Sequence, residues 1–139
     1  MAITDRHTFG WEKELELKEM LEAFLEEELT KTAGRWNAVD FVSPSYAAEL
    51  KCRRAIDEKG RPVNSTTNDT WLLPACKVGS SIGKKQIYFY YWHGDKTLWY
   101  LWKDDADWDT IFRTVPHFSN QLHYYVPKDL WTQLEFVDE

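Results

Sequence analysis

The stretch WNAVDFVSPSYAAELKCRR, residues 36–54, contains three ionisable side chains that could act together. Asp40 ends a short apolar run, and Glu49 and Lys51 follow after a turn-forming SPS at residues 43–45. Side chains alternate along a β-strand, so Glu49 and Lys51 would point to the same side of a sheet. The turn would bring Asp40 beside them, so that two carboxylates and one ammonium group converge.

This trio predicts metal-dependent chemistry on a phosphate ester. Two neighbouring carboxylates repel each other, and a divalent cation relieves that repulsion. Mg²⁺ is commonly held by one or two carboxylates together with waters and substrate phosphate. A lysine nearby can orient the attacking water, help to deprotonate it, or stabilise charge that develops on phosphorus. The alternative is an ordinary salt-bridge cluster, because these residues are common and an E-x-K pair is a usual element of a strand face.

A long helix should precede this region. Residues 11–31 are rich in Glu, Leu and Lys and contain no Gly or Pro, which predicts a helix that ends near Gly34. At helical spacing, one apolar stripe consists of Trp11, Leu17, Leu21, Phe24, Leu25 and Leu29. Glu14 and Glu28 project into this stripe, where a carboxylate is costly unless it has a partner.

The remaining pattern predicts mainly strands. They are expected at residues 37–42, 46–56, 71–73, 87–92, 97–102 and 121–126. Gly94-Asp95 should form a two-residue hairpin turn between two aromatic strands, and the first of these should be central, since both of its faces are apolar. Pro74 should begin a short helix or an irregular turn, and Pro127 a terminal helical turn after the last strand.

This order of elements predicts an α/β fold of α+β character. We expect one domain over residues 1–139, with a central mixed sheet flanked by the long N-terminal helix and a shorter helical element. The longest apolar stretch, IYFYYW, is too short to span a membrane, and the N-terminal residues show no apolar signal region. Cys52 and Cys76 lack CxxC spacing and are expected to be free thiols. An intracellular, cytoplasmic location is therefore expected.

The distribution of charge is more informative than its sum. The net charge of −6 argues against nucleic acid, but residues 51–86 carry eight basic and three acidic side chains. A basic block on an otherwise acidic chain can bind phosphates locally. The alternative is a solvated loop that merely collects lysine and arginine. No P-loop or G-x-S-x-G pattern is present, and the four histidines do not form a metal-ligand pair, so no organic cofactor is expected.

On these residues the chain resembles the PD-(D/E)XK nuclease superfamily, also called restriction-endonuclease-like. Val39-Asp40 corresponds to the "PD" element, and Glu49-Leu50-Lys51 corresponds to E-x-K. The upstream helix with an inward glutamate and the predicted order of strands agree over about the first two thirds of the chain. Val39 replaces the family's proline, which is often missing in members of the superfamily.

The resemblance implies a role for each site residue. Asp40 and Glu49 would be metal ligands, with the backbone carbonyl of Leu50 as a third, and Lys51 would be the catalytic lysine. Glu14 is the candidate for the additional helix-borne acid of the family; partial exposure at a fraying helix end explains it equally well. Phosphate contacts would come from Arg53, Arg54, Lys77, Lys84 and Lys85, although each of them taken singly also fits a solvated surface charge.

The expected function is a Mg²⁺-dependent endodeoxyribonuclease in which Mn²⁺ substitutes. DNA is the expected partner, with RNA left open, and a homodimer would allow both strands or a branched junction to be cut. A compact stand-alone enzyme would suit a phage or mobile element. Two alternatives stay open: a non-catalytic nucleic-acid-binding or assembly domain with the same fold, and a structural protein in which Lys51 pairs with Glu49 or Asp40 without metal.

Overall fold

The computed structural model describes residues 16–32, 40–54, 59–61, 63–78 and 83–134. Helix α1 covers residues 16–25. The strands are β1 (Thr30–Lys31), β2 (Phe41–Val42), β3 (Tyr46–Arg53), β4 (Thr70–Pro74), β5 (Lys85–Trp92), β6 (Thr97–Trp102), β7 (Arg113–Thr114), β8 (His123–Pro127) and β9 (Thr132–Leu134). Single 3₁₀ turns occur at Ala75–Lys77, Lys103–Asp105 and Lys128–Leu130.

The strands form two sheets. The larger sheet has the order β1-β2-β3-β5-β6-β9, in which only the β3–β5 pair is parallel within the described residues. The smaller sheet is antiparallel, with the order β4-β8-β7. The predicted mixed sheet is therefore confirmed, but the sequence pattern did not indicate that β4 and β8 leave it to form a second sheet.

Strand β5 is the central strand of the larger sheet, as its two apolar faces predict. All its residues after Lys85 are buried. Ile87, Phe89 and Tyr91 pack with α1 in one core, and Tyr88 and Tyr90 pack against the smaller sheet in a second core. The larger sheet thus lies between α1 on one face and the smaller sheet on the other.

Helix α1 ends earlier than predicted. Leu17, Leu21 and Leu25 are buried as expected, but the helix ends at residue 25 because Glu26 adopts a left-handed backbone with φ of 58°. Leu29 continues the apolar stripe although it lies in a loop, and its N–H donates to Glu22 Oε2 at 2.7 Å. This contact replaces helical hydrogen bonding, so the apolar period alone placed the C-terminal end of the helix too late.

Of the two glutamates predicted to project into the apolar stripe, only Glu28 lies within the described residues. Glu28 follows the helix end and is exposed, so it does not project into the apolar stripe. Glu14, together with Trp11, lies outside the described residues.

The predicted SPS turn is confirmed and is tied to the end of the helix. Ser43 N–H donates to Tyr46 O, which closes the turn between β2 and β3. Glu27 accepts hydrogen bonds from the hydroxyls of Ser43 and Ser45 at 2.6 and 2.7 Å, and from Ser45 N–H at 3.0 Å. These bonds, led by the one from Ser43, lower the pKa of Glu27. The loop after α1 is thereby anchored to the turn that precedes β3.

The turns predicted after Pro74 and Pro127 are confirmed, and each is a single 3₁₀ turn. The shorter flanking helical element and the position of the last strand need correction. In the described part of the chain, no second α-helix flanks the sheet. Strand β8 is not the last strand, because Thr132–Leu134 pairs with β6 and extends the edge of the larger sheet. This pairing joins segments about 30 residues apart, which a local pattern does not reveal.

The cysteines and the helical residues agree with two further expectations. Neither Cys52 nor Cys76 forms a disulfide, as predicted. Among the described helical residues, none forms a segment with the length and apolar character needed to cross a membrane.

The hairpin between β5 and β6 is confirmed, but its turn is longer than predicted. Trp92 pairs with Thr97, so four residues, 93–96, form the connection instead of two. The left-handed residue is Lys96, with φ of 54°. Gly94 is needed for a different reason: a Cβ there would lie 2.3 Å from the carbonyl oxygen of Val63. The glycine permits close approach of the 63–69 loop to the hairpin.

We therefore expect Gly94→Ala to lower the free energy of unfolding by about 1–3 kcal/mol, because the new methyl group overpacks against backbone. Urea unfolding measures the change. Lys96→Gly is the control, and it should cost no stability because its backbone is already left-handed. Equal stability of Gly94→Ala and wild type would show that the 63–69 loop yields to the added methyl.

Candidate active site

The pairing of β3 with β5 decides where the charged side chains of β3 lie. Ala48 and Leu50 belong to the core beneath α1, so alternation directs Glu49, Lys51 and Arg53 to the opposite face. There they lie beside the directly paired residues Tyr88, Tyr90 and Trp92, which form part of the core against the smaller sheet. The predicted sharing of one face by Glu49 and Lys51 is therefore confirmed, and Arg53 joins them.

Asp40 is held next to these residues by backbone and side-chain bonds. Its N–H donates to Ala48 O at 3.1 Å, which extends the β2–β3 ladder by one position. Its Oδ2 accepts a hydrogen bond from Leu50 N–H at 2.9 Å. The carboxylate of Asp40 thus contacts the backbone between Glu49 and Lys51. Val39, the other half of the predicted "PD" element, lies outside the described residues.

Glu49 is a buried carboxylate with a cationic partner. The residue is 7% exposed, and its Oε1 lies 3.6 Å from Lys77 Nζ. Lys77 is at the end of the 3₁₀ turn after β4, so this contact joins β3 to the connection that leads into β5. A separation of 3.6 Å is longer than a direct hydrogen bond, so this contact is an ion pair.

Gln86 is a site residue that sequence reasoning missed. It is almost fully buried, and its Nε2 donates to the backbone carbonyl of Lys77 at 2.7 Å. Because it pairs with Ala47, it shares the face of β3 that carries Glu49. Its role is to hold the turn that presents Lys77. A polar residue at the beginning of an otherwise apolar central strand was the available signal.

Lys51 lies in a less polar environment than an ordinary lysine. Burial is the largest cause that lowers the pKa of its amine, and the neighbouring guanidinium of Arg53 lowers it further. The carboxylates of Glu49 and Asp40 act in the opposite direction and raise this pKa. The net effect lowers the pKa of Lys51, so its charged form is less favourable in the folded protein than in water.

The donors at this site fit a hard divalent cation. Asp40 and Glu49 supply carboxylate oxygens, and the backbone carbonyl of Leu50 would add a third oxygen of the kind that Mg²⁺ prefers. Within the described ranges, no group of three or more His, Cys, Asp or Glu side chains is placed to hold a metal ion. Among the described residues, the oxygen donors available to a metal ion here are these two carboxylates and the Leu50 carbonyl.

The predicted phosphate-binding residues separate into two groups. Arg53 and Lys77 lie at the site beside Lys51 and Glu49. Arg54 is exposed at the end of β3. Lys84 donates to the backbone carbonyls of Ser43 and Pro44, and Lys85 lies 4.4 Å from the ring centre of Trp102. Lys85 pairs with Tyr46, which packs on the α1 side, so it lies on the face opposite Glu49.

Comparison with known proteins adds no further assignment. No family model, curated protein or solved structure matches this chain. The geometry and charge of the residues themselves are therefore what indicates a function.

The depressed pKa of Lys51 predicts that Lys51→Met stabilises the protein at pH 7, by about 0.5–2 kcal/mol. The folded-state pKa is below the usual value of 10.5, so the unfolded chain binds more protons between these two values. The loss of folding stability caused by the charged Lys51 amine is largest below its folded-state pKa. It disappears as the pH rises past 10.5, where the amine is neutral in both states. The advantage of Lys51→Met should shrink over the same interval.

Urea unfolding at several pH values between 7 and 11 measures this difference. Lys18→Met, which removes a lysine from the surface of α1, is the matched control and should show no comparable pH-dependent gain. A variant at Lys51 that is less stable than wild type at pH 7 would contradict the assigned cause of the pKa shift.

The Lys77–Glu49 ion pair predicts competition between an ammonium group and a metal ion. Without metal, Lys77→Met should lose about 1–3 kcal/mol of stability, because the buried Glu49 loses this ionic contact. Mn²⁺ should restore stability by binding at the carboxylates. The rise in Tm on adding Mn²⁺ should therefore be larger in Lys77→Met than in wild type.

Glu49→Gln should abolish the rise in Tm, and Lys18→Met should show the wild-type rise. Thermal unfolding in EDTA and in Mn²⁺ measures all four proteins. An equal effect of Mn²⁺ on all of them would remove Glu49 from the set of metal ligands.

Proposed function

We propose that the protein is a Mg²⁺-dependent endonuclease that hydrolyses phosphodiester bonds in DNA. The observation that carries this proposal is the convergence of Asp40, Glu49 and Lys51 on one buried face of the larger sheet. Such a face normally accepts apolar side chains, because burying several charges there lowers stability. Ionisable groups that are buried in this way are therefore often part of a functional site. The arrangement also agrees with the resemblance to PD-(D/E)XK nucleases.

Asp40, Glu49 and the carbonyl of Leu50 would hold Mg²⁺, for which Mn²⁺ would substitute. When bound, the cation would supply Lewis-acid stabilisation of charge on the phosphoryl oxygens. Leu50 N–H fixes the orientation of the Asp40 carboxylate through its bond to Oδ2. The hydrogen bond from Gln86 to the Lys77 carbonyl holds the neighbouring turn in place. Together these contacts preorganise the oxygen donors before a substrate arrives.

Lys51 would position the attacking water. In its neutral form, its amine would accept a proton from that water. Burial lowers the pKa of its amine, which brings proton transfer closer to neutral pH than for an exposed lysine. The neighbouring carboxylates of Asp40 and Glu49 keep this amine within reach of the reacting groups. Arginine would not serve in the same way, because its guanidinium does not lose a proton in proteins.

The positive charge at the site favours a phosphate-bearing substrate. Arg53 and Lys77 belong to the basic block of residues 51–86, and both lie beside the carboxylates. Lys77 is well placed to exchange its carboxylate partner for a substrate phosphate. The acidic remainder of the chain would limit non-specific binding, so the attraction to DNA would be concentrated near Lys51.

We further propose that one nuclease domain, residues 1–139, acts as an intracellular homodimer. The 139 residues are of the size of one ordinary domain. Two sites related by a two-fold axis would permit cleavage of both strands or of a branched junction. A compact enzyme of this kind would suit a phage or mobile element.

A second candidate is a non-catalytic DNA-binding domain. The observation in its favour is the Lys77–Glu49 pair, which compensates a buried carboxylate without a metal ion. In that case the charged residues of β3 would form a salt-bridge cluster, and the basic block alone would contact DNA.

Cleavage of supercoiled plasmid and of a four-way junction tests the two candidates. We expect cutting in Mg²⁺ or Mn²⁺ and none in EDTA. Lys51→Ala and Glu49→Ala should each lower the rate by about 100-fold or more, because general acid–base and metal contributions are of that size. Lys18→Ala should cut at the wild-type rate.

Equal cutting by wild type, Lys51→Ala and Glu49→Ala would assign the activity to a contaminant. Folded protein that binds DNA but does not cut it under any metal condition would favour the binding domain.

A further inference from the structure

The connection between β7 and β8 exposes several apolar side chains. We call residues 115–122 the 115–122 loop; in it Val115 is 51%, Phe118 62% and Leu122 42% exposed. Neither hydrophobic core of the described residues includes these side chains. Exposed apolar groups that are contiguous mark interaction sites more often than isolated ones do.

The loop lies beside the candidate active site. Strand β8 pairs with β4 so that His123 is opposite Pro74, and Ala75 N–H donates to Leu122 O at 2.9 Å. Lys77 follows two residues after Ala75, at the end of the same 3₁₀ turn, and its ammonium contacts Glu49. The same 3₁₀ turn therefore binds the end of the 115–122 loop and carries the Lys77 ammonium group to the site.

The exposed ring of Phe118 has fixed neighbours. It packs edge-to-face against His117 at 5.5 Å and against His123 at 6.3 Å between ring centres. His123 is buried, and its Nδ1 lies 2.9 Å from Gln121 O. An aromatic ring supported in this way loses little conformational freedom when a flat ligand stacks on it.

The charge of the segment that carries the loop suits a polyanion. From Thr110 to Lys128 the chain contains no Asp or Glu, although the whole chain has a net charge of −6. Arg113 lies in this segment, 5.7 Å from the ring centre of Tyr124. In contrast, the apolar groove that contains Phe112, near the Pro127 end of β8, is bordered by Asp105 and Asp107. Phosphate would be repelled there and accepted at the 115–122 loop.

We propose that Phe118 is a stacking platform for unpaired bases of the DNA substrate. This inference rests on the proposed nuclease function and specifies its substrate as DNA with an unpaired segment next to the cleaved bond. Every base offers a π face, so stacking on an aromatic ring tolerates any sequence, and the phosphates attract the basic residues nearby. A continuous duplex keeps its bases stacked on each other and leaves Phe118 unused.

Fluorescence anisotropy in EDTA tests the platform without cleavage. The probes are a blunt duplex and the same duplex with an unpaired thymidine extension. Phe118→Ala should weaken binding of the extended probe about 5- to 100-fold, from the usual contribution of one stacked base, and should leave the blunt probe unchanged. Phe118→Trp should retain the preference. Phe112→Ala removes an equally exposed ring from the acidic groove and should bind both probes like wild type.

Three results would overturn the inference: wild-type binding of both probes by Phe118→Ala, equal weakening of both probes, or a change in sedimentation that shows Phe118 to be a protein contact. The two proposals fail separately. Mg²⁺-dependent cutting of the extended probe at the wild-type rate by Phe118→Ala would remove the platform and retain the nuclease. Phe118-dependent binding without any cutting would retain the platform and remove the nuclease.

Discussion

The parallel pairing of β3 with β5 determines both which side chains of β3 enter the core and which face the candidate site. Eight consecutive residues of each strand are in register, from Tyr46 opposite Lys85 to Arg53 opposite Trp92. Ala48 and Leu50 must face α1 to complete its core, so alternation leaves Glu49 and Lys51 no other direction than the second face. A slip of one residue would exchange the two sets and place charges beneath the helix. The core and the candidate site are therefore specified by the same register.

The charged face of β3 lies against an aromatic layer, where a charge is costly unless it has a partner. Trp71 is buried and lies 5.3–5.5 Å, between ring centres, from four other aromatic residues: Tyr90, Trp92, Trp99 and Trp131. This packing supplies apolar burial next to the charges, while Asp40 is bound to Leu50 N–H and Glu49 is paired with Lys77. Lys51 is only partly compensated, since its pKa is lowered in spite of two nearby carboxylates. Ionisable groups whose pKa is shifted by burial and by specific charges are enriched at functional sites.

Local patterns predicted the parts of the site that alternation and turns control. The two apolar faces of β5, the SPS turn and the shared face of Glu49 and Lys51 follow from residue type and spacing alone. The ion pair between Glu49 and Lys77 does not, because the two residues are distant in the chain and meet only through the second sheet. Leu29 shows the opposite error: it fits the helical period, yet a left-handed Glu26 ends the helix before it. Long-range pairing and local backbone exceptions both lie outside what periodicity encodes.

The connection from β3 to β5 explains how distant residues reach the site. Parallel strands need a long crossover, and a helix usually provides it. Here the described part of the crossover contains β4, which joins β8 in the second sheet, and then the 3₁₀ turn of Ala75–Lys77. The crossover therefore delivers a cation to Glu49 and, through Leu122, attaches the 115–122 loop to the same turn. Strand β3 supplies Glu49 and Lys51, and Asp40 comes from the residue before β2. The crossover supplies the cation that opposes the acids and the surface beside them.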